Sequence, residues 1–174
     1  NNAALVIGGA LASGGAVALS HGRIVTILSA GNDAAKSFTV VGTDVNGDAQ
    51  TESITGANAG TATGTKYFLT VASITAVGNP AGNVSAGVNA SAADVIFAAR
   101  SRLKGIYLTS TATAGTVDFL NTSPSGTSIM GLSSVGDADA TRDVVIPEEG
   151  VVFSNGIYVQ YTVSSFLTMT VFHA

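Results

Sequence analysis

RIVTILSAGNDAAKSFTVVGTDVNGDAQTESITGANAGTATGTKYFLTVASITAVGNPAGN, residues 23–83, is a series of short runs in which apolar and polar side chains alternate, cut by Gly-Asn, Asn-Gly and Ala-Gly pairs. A side-chain period of two marks strands with one buried face, and the Gly and Asn pairs supply turns between them. No stretch of helical length carries a 3.6-residue period. The fold class expected is therefore all-β, built as antiparallel β-sandwich or jelly-roll-like modules.

Working outward, strands are expected over residues 5–7, 16–19, 24–29, 37–43, 50–55, 67–70 and 73–77. A second set is expected over 83–88, 95–100, 105–109, 116–121, 128–132, 143–146, 151–153, 157–163 and 167–172. The clearest hairpin is DVNGD at residues 44–48, where Asn46-Gly47 suits a type I′ turn. Phe38, Val40 and Gly42 share one face of its first strand. Thr51, Ser53 and Thr55 alternate with Glu52 and Ile54 on the second, so one side is polar and one mixed.

Residues 78–93, GNPAGNVSAGVNASAA, hold the densest turn chemistry and no large apolar residue beyond two valines, which marks a boundary or crossover. Two modules are expected, residues 1–88 and 89–174, the first with an N-terminal arm at 1–20 or with that segment as its first strand. The second reads as an antiparallel meander. Within it Pro147 to Gly150 turns between two strands, Asn155-Gly156 marks another hairpin, and the last strand runs to Ala174.

Composition narrows the class. The chain has 174 residues, no Cys and no Trp, enough length to bury a core without metal or disulfide staples. Hydrophobic residues make up 46% but aromatics only 6%, which suits thin sandwiches with closely spaced sheets. Charged residues are 10%, against roughly 25% for an ordinary soluble domain. Such a surface is protected from association only when partners cover it.

The net charge of -4 argues against nucleic acid as a partner, since phosphate contacts need clustered cations. The one basic cluster is Arg100, Arg102 and Lys104, expected on one face of a strand. Residues 8–19, GGALASGGAVAL, are shorter than the about 20 residues that span a bilayer and lack the basic flank of a signal peptide. The expectation is a soluble chain, with no membrane partner, that is not exported by that route.

Sites of chemistry are scarce. The two histidines, His21 and His173, lie far apart in sequence, His21 read as part of a turn, and no G-x-S-x-G elbow is present. Residues 131–135 (GLSSV) fail it at the last position. Asp44, Asn46 and Asp48 begin like a calcium loop, but Gly47 falls early and Thr55 stands where a Glu is needed. Asp137, Asp139 and Asp143, a loop carboxylate cluster without strand pattern, are a slightly better calcium candidate, the alternative being a solvated acidic loop. Residues 60–67, GTATGTKY, lack the Gly-Lys-Ser/Thr order of a phosphate loop and read as a loop entering a strand. Glu148 and Glu149 are adjacent in a turn and point apart, unlike an acid/base pair. The N-x-S/T sequences at Asn83, Asn89 and Asn121 carry meaning only in a secretory pathway. No catalytic, cofactor-binding or metal-binding residue is assigned, no cofactor is expected, and the chain reads as a non-enzyme.

The pattern AGND…FTVVGTDVNGDAQTESITG…YFLTVASITAVG resembles a module of tailed-bacteriophage virion structural proteins. The later GIYLTS…GTVDFLN…VIPEEGVVFSNGIYVQYTV…TVFHA is similar to another module of such proteins. These motifs specify turns and strands, so no functional residue transfers with them. The resemblance implies a location in the phage particle, the capsid surface ahead of the tail. It also implies a head decoration or cement protein that binds major capsid subunits or other virion proteins as a homo-oligomer, a trimer favoured. A tail or fibre component, including one that binds the host surface, is the alternative.

Overall fold

The structure, a computed structural model, describes residues 3–8 and 12–174. The described residues are all β apart from one 3-10 turn at Val163–Ser165, and the strand pairings are antiparallel. The chain divides into two compact units, Asn1–Asn89 and Ala90–Ala174.

The first unit holds β1 (Ala3–Ala4), β2 (Ala12–Ser13), β3 (Ala16–Ser29), β4 (Ser37–Thr43), β5 (Ala49–Thr55) and β6 (Thr61–Val77), with the opening part of β7 (Val84–Phe97) beside β3. Long strands replace several of the short ones expected. Residues 16–19 and 24–29 join into β3, and 67–70 and 73–77 fall within β6, which begins at Thr61. His21 and Gly22, expected in a turn, sit inside β3 where its register against β6 shifts between Ala18 and Arg23. A register shift lets a strand bend without ending, so turn-prone residues there interrupt the pairing with β6 but do not end β3. The core is Val25, Ile27, Phe38, Val40, Ile54, Phe68, Val71, Ile74 and Ala76. Phe38 and Val40 reach it from alternate positions of β4, as its period of two requires.

The β4–β5 hairpin pairs Ser37 with Thr55 through Thr43 with Ala49. Its turn is not type I′, which needs positive φ at both central residues. Gly47 takes a φ of +87°, while Asn46 keeps a negative φ. Gly47 donates its amide to the Asp44 carbonyl at 3.1 Å, and Asp44 Oδ1 accepts the amides of Asn46 at 2.8 Å and Asp48 at 3.0 Å. The Asp44 carboxylate thus satisfies the turn itself, and Gly47 serves the single left-handed position.

Residues 3–5 lie on the first unit's own sheet: Ala3 and Ala4 pair with Ala76 and Thr75, and the Leu5 amide donates to the Ile74 carbonyl at 2.8 Å. Residues 5–7, expected as a strand, are irregular beyond this bond. Residues 1–2 and 9–11 of the expected arm lie outside the described residues.

Residues 78–93 are a loop only at their start. From Val84 the chain is strand, and the division between the units falls inside β7. Small Ala, Ser and Gly side chains with interspersed valines alternate as well in a strand as in a linker. Composition alone does not separate the two.

The second unit is a sandwich. One sheet has β8 (Ser101–Ser110) at its centre, paired with β14 (Phe166–His173), β11 (Thr141–Val145) and β12 (Val151–Phe153). In the other, β9 (Gly115–Asn121) lies between β10 (Thr127–Ser134) and β13 (Ile157–Thr162), and β13 also pairs with residues 91–97 of β7. Leu103, Ile106, Leu108 and Phe153 from the first sheet meet Val117, Phe119, Ile157 and Val159 from the second. Each such buried side chain contributes roughly 1.5–3 kcal/mol relative to exposure.

This is not the expected meander. β8 and β9 are consecutive but belong to different sheets, and the Asn155-Gly156 corner carries the chain from β12 in one sheet to β13 in the other. Gly156 there has a φ of +108°. The Pro147 to Gly150 turn does not close a hairpin either. Both β11 and β12 run antiparallel to β8, facing residues 109–105 and then 103–101, so the turn is an excursion in one continuing edge.

Candidate functional site

The acidic loop does not gather its carboxylates. Asp143 lies in β11 opposite Tyr107, whereas Asp137 and Asp139 belong to the preceding loop. There the Asp137 carbonyl accepts the Ser110 hydroxyl at 3.0 Å and the Asp139 amide donates to the Ser110 carbonyl at 3.0 Å. Among the described residues no three His, Cys, Asp or Glu side chains converge as a metal site.

The basic stripe is shorter than expected. Arg100 lies in the bend before β8, so only Arg102 and Lys104 occupy the strand. Both turn toward the Pro147 to Gly150 excursion. Lys104 Nζ donates to the Glu148 carbonyl at 2.7 Å, and the Arg102 guanidinium donates to the Glu149 carbonyl at 3.2 Å while standing 3.7 Å from its carboxylate. Glu148 holds a φ of +56°, and these cations brace the carbonyls of that strained turn. Their role is internal.

Residues 60–67 also differ from expectation, being strand from Thr61 onward. The Glu52 carboxylate accepts the Thr65 amide at 2.6 Å, the Thr65 hydroxyl at 2.9 Å and the Lys66 amide at 3.3 Å. Lys66 Nζ in turn donates to the Thr51 carbonyl at 2.8 Å. The amides that a phosphate would need are already held by an anion of the protein's own.

No local motif pairs a nucleophile with a histidine, and the fold brings Ser101 to His173, with 3.3 Å between Ser101 Oγ and His173 Nδ1. The Ser101 hydroxyl donates to the Ala174 carbonyl at 3.0 Å and Ser101 is buried. His173 leans on the Phe97 ring, centroids 5.1 Å apart. The pair locks the end of β14 onto β8, where Ala174 and Arg102 exchange backbone hydrogen bonds at 2.7 and 3.0 Å. Asn121 is similarly structural, donating to Ser154 Oγ at 2.9 Å and accepting the Asn155 amide at 3.0 Å.

Asp33 concentrates polar contacts without a local motif. Its side chain is fully buried, and Oδ1 accepts the Ala81 amide at 2.7 Å. Around it the Asp33 amide donates to the Ala57 carbonyl at 2.9 Å and its carbonyl accepts the Lys36 amide at 2.8 Å. Three loops of the first unit are thereby tied through one residue. Its partners at Ala57 and Ala81 are distant in sequence, and locally it shows only as an Asp after Gly31-Asn32.

The remaining surface features are apolar. In the first unit a half-open cavity of about 730 Å³ is walled by aliphatic side chains, among them Leu5, Ile7, Val17, Val25, Val71 and Ile74. In the second, Tyr107, Val145, Leu167 and Phe172 are exposed on β8, β11 and β14. These surfaces can bury area against a partner. No family model, curated protein or solved structure matches the chain. Among the described residues no helix is long and apolar enough to cross a membrane.

Proposed function

We propose that the chain is a structural component of a tailed-bacteriophage virion, a decoration or cement protein that binds major capsid subunits on the head surface and stabilises the shell without catalysis. The observation that carries the reading is the chemistry of the surface. Charged residues are 10% of the chain, and several of the charged side chains present, Asp44, Glu52, Lys66, Arg102 and Lys104, are tied into the chain's own turns and strands. What faces outward on the second unit includes Val145, Leu167 and Phe172, the first 77% exposed. A surface of this kind favours broad, weakly charged contact.

The mechanism is mechanical. A standard protein–protein contact buries about 1,600 Å², and copies linked as a homo-oligomer over adjacent capsid subunits add by effective concentration. Contact across subunit boundaries opposes their separation under the pressure of packed genome. Sedimentation of the purified chain with empty capsids assembled from the major capsid protein of the same genome tests this. Saturable co-sedimentation is expected; binding to host cells with none to capsids would move the chain to the tail or fibre.

A further inference from the structure

From the second unit we infer that β14 is a self-association edge, along which a second copy of this chain adds its own β14 in antiparallel register about a two-fold axis at Thr170. Among the described residues β14 pairs with β8 alone, so the backbone groups on its other side form an open ladder. Sheet edges of this kind pair with further strands unless charge, proline or irregularity blocks them.

The other edges of the unit carry such blocks. β11 has Arg142 and Asp143 and is followed by the Pro147 to Gly150 excursion, and β10 contains Gly131 and a register shift between Ser128 and Met130. β14 has no charged residue, Pro or Gly over residues 166–172. Its register shifts fall at its two ends, between Phe166 and Thr168 and between Phe172 and His173. The regular stretch between them is centred on Thr170.

That stretch matches itself. Met169 and Val171 face the core of the sandwich, and Thr168 and Thr170 face away. A two-fold at Thr170 sets Met169 opposite the second copy's Val171, so the apolar core-facing side continues across the junction, and on the outer face it sets Thr170 opposite Thr170 and Thr168 opposite Phe172. Leu167 and Phe172, 57% and 53% exposed, lie along the same strand and lose solvent on pairing. Chains of net charge -4 repel one another elsewhere, and an uncharged edge is where two copies approach at least cost. The inference concerns the oligomer and does not depend on the capsid reading, since self-association is measured with no capsid present.

The natural chain has no Cys, which makes a single introduced thiol a clean reporter. Residues facing each other across an antiparallel two-fold have Cα atoms about 4.5–5.5 Å apart, within disulfide reach. Under mild oxidation T170C is expected to form a disulfide-linked dimer rapidly, and I129C on β10 is expected to remain without a cross-link. In sedimentation velocity the unmodified chain is expected to dimerise, and T170K to weaken that at least tenfold with an unchanged circular dichroism spectrum. A monomeric unmodified chain, equal cross-linking at both positions, or dimers that persist in T170K would each overturn the inference.

Discussion

Asp33 and Ala81 are joined by a 2.7 Å hydrogen bond from the Ala81 amide to the Asp33 carboxylate, across 48 positions of sequence, with Asp33 fully buried and Ala81 at the surface. The second carboxylate oxygen, Oδ2, has no hydrogen-bond partner among the described residues. A hydrogen bond of this kind contributes about 0.5–1.5 kcal/mol net, and D33A, which removes the acceptor of the Ala81 amide, is expected to lose that much stability. D33N keeps an acceptor and removes a buried charge, so it is expected to cost less than D33A. Chemical denaturation of both variants checks the order, and equal losses would contradict the assignment of the bond.

Gly42 faces β6 at the register shift between Val41 and Gly42, and a Cβ there would overlap the Thr70 carbonyl oxygen. G42A is expected to destabilise the first unit by about 1–3 kcal/mol or more through forced backbone movement. Gly60 has only ordinary contacts around its Cβ position, the nearest atom at 3.7 Å. G60A is expected to fall within about 0.5 kcal/mol of the unmodified chain. Thermal melts of the two compare the same chemical change in a closed and an open site.

Phe119 is fully buried where the two sheets of the second unit meet. Truncation removes its packing and leaves a cavity, and F119A is expected to cost about 3–5 kcal/mol. A loss near zero would mean that the sheets do not share this core.

Arg102 and Lys104 hold the carbonyls of Glu149 and Glu148 rather than an outside anion. The Arg102–Glu149 charge pair is long at 3.7 Å, with the Glu149 side chain 83% exposed, and exposed pairs contribute about 0–1 kcal/mol. E149Q is therefore expected to leave stability nearly unchanged. Replacing both cations by Ala is expected to free the turn, read as faster cleavage after Glu148 or Glu149 by a glutamate-specific protease. Unchanged cleavage would mean that the turn is held by its backbone alone.

Alternation made the strands legible, and strands 37–43 and 151–153 coincide with β4 and β12. Local chemistry also located the turns at Gly47, Gly150 and Gly156, each with positive φ. It did not tell which sheet the chain enters next. Pro147 to Gly150 and Asn155-Gly156 both look like hairpin turns, yet one continues along β8 and the other crosses between sheets, because a turn fixes direction over a few residues and pairing is decided by distant partners. Likewise His21-Gly22 looks like punctuation, but the strand runs on through it and resumes its pairing with β6 at Arg23. Candidate chemistry was legible mainly as scarcity. The places where polar side chains concentrate, at Asp33, Glu52 and Ser101, are set by contacts across 48, 13 and 72 positions, beyond the reach of any local pattern.

The most direct test of the virion reading is electron cryomicroscopy of empty capsids, assembled from the major capsid protein of the same genome, after incubation with the purified chain. The account predicts ordered extra density on the outer surface that bridges neighbouring capsid subunits and accommodates both β units. Bare capsids at saturating concentration, with the chain bound instead to tails or to host cells, would contradict it.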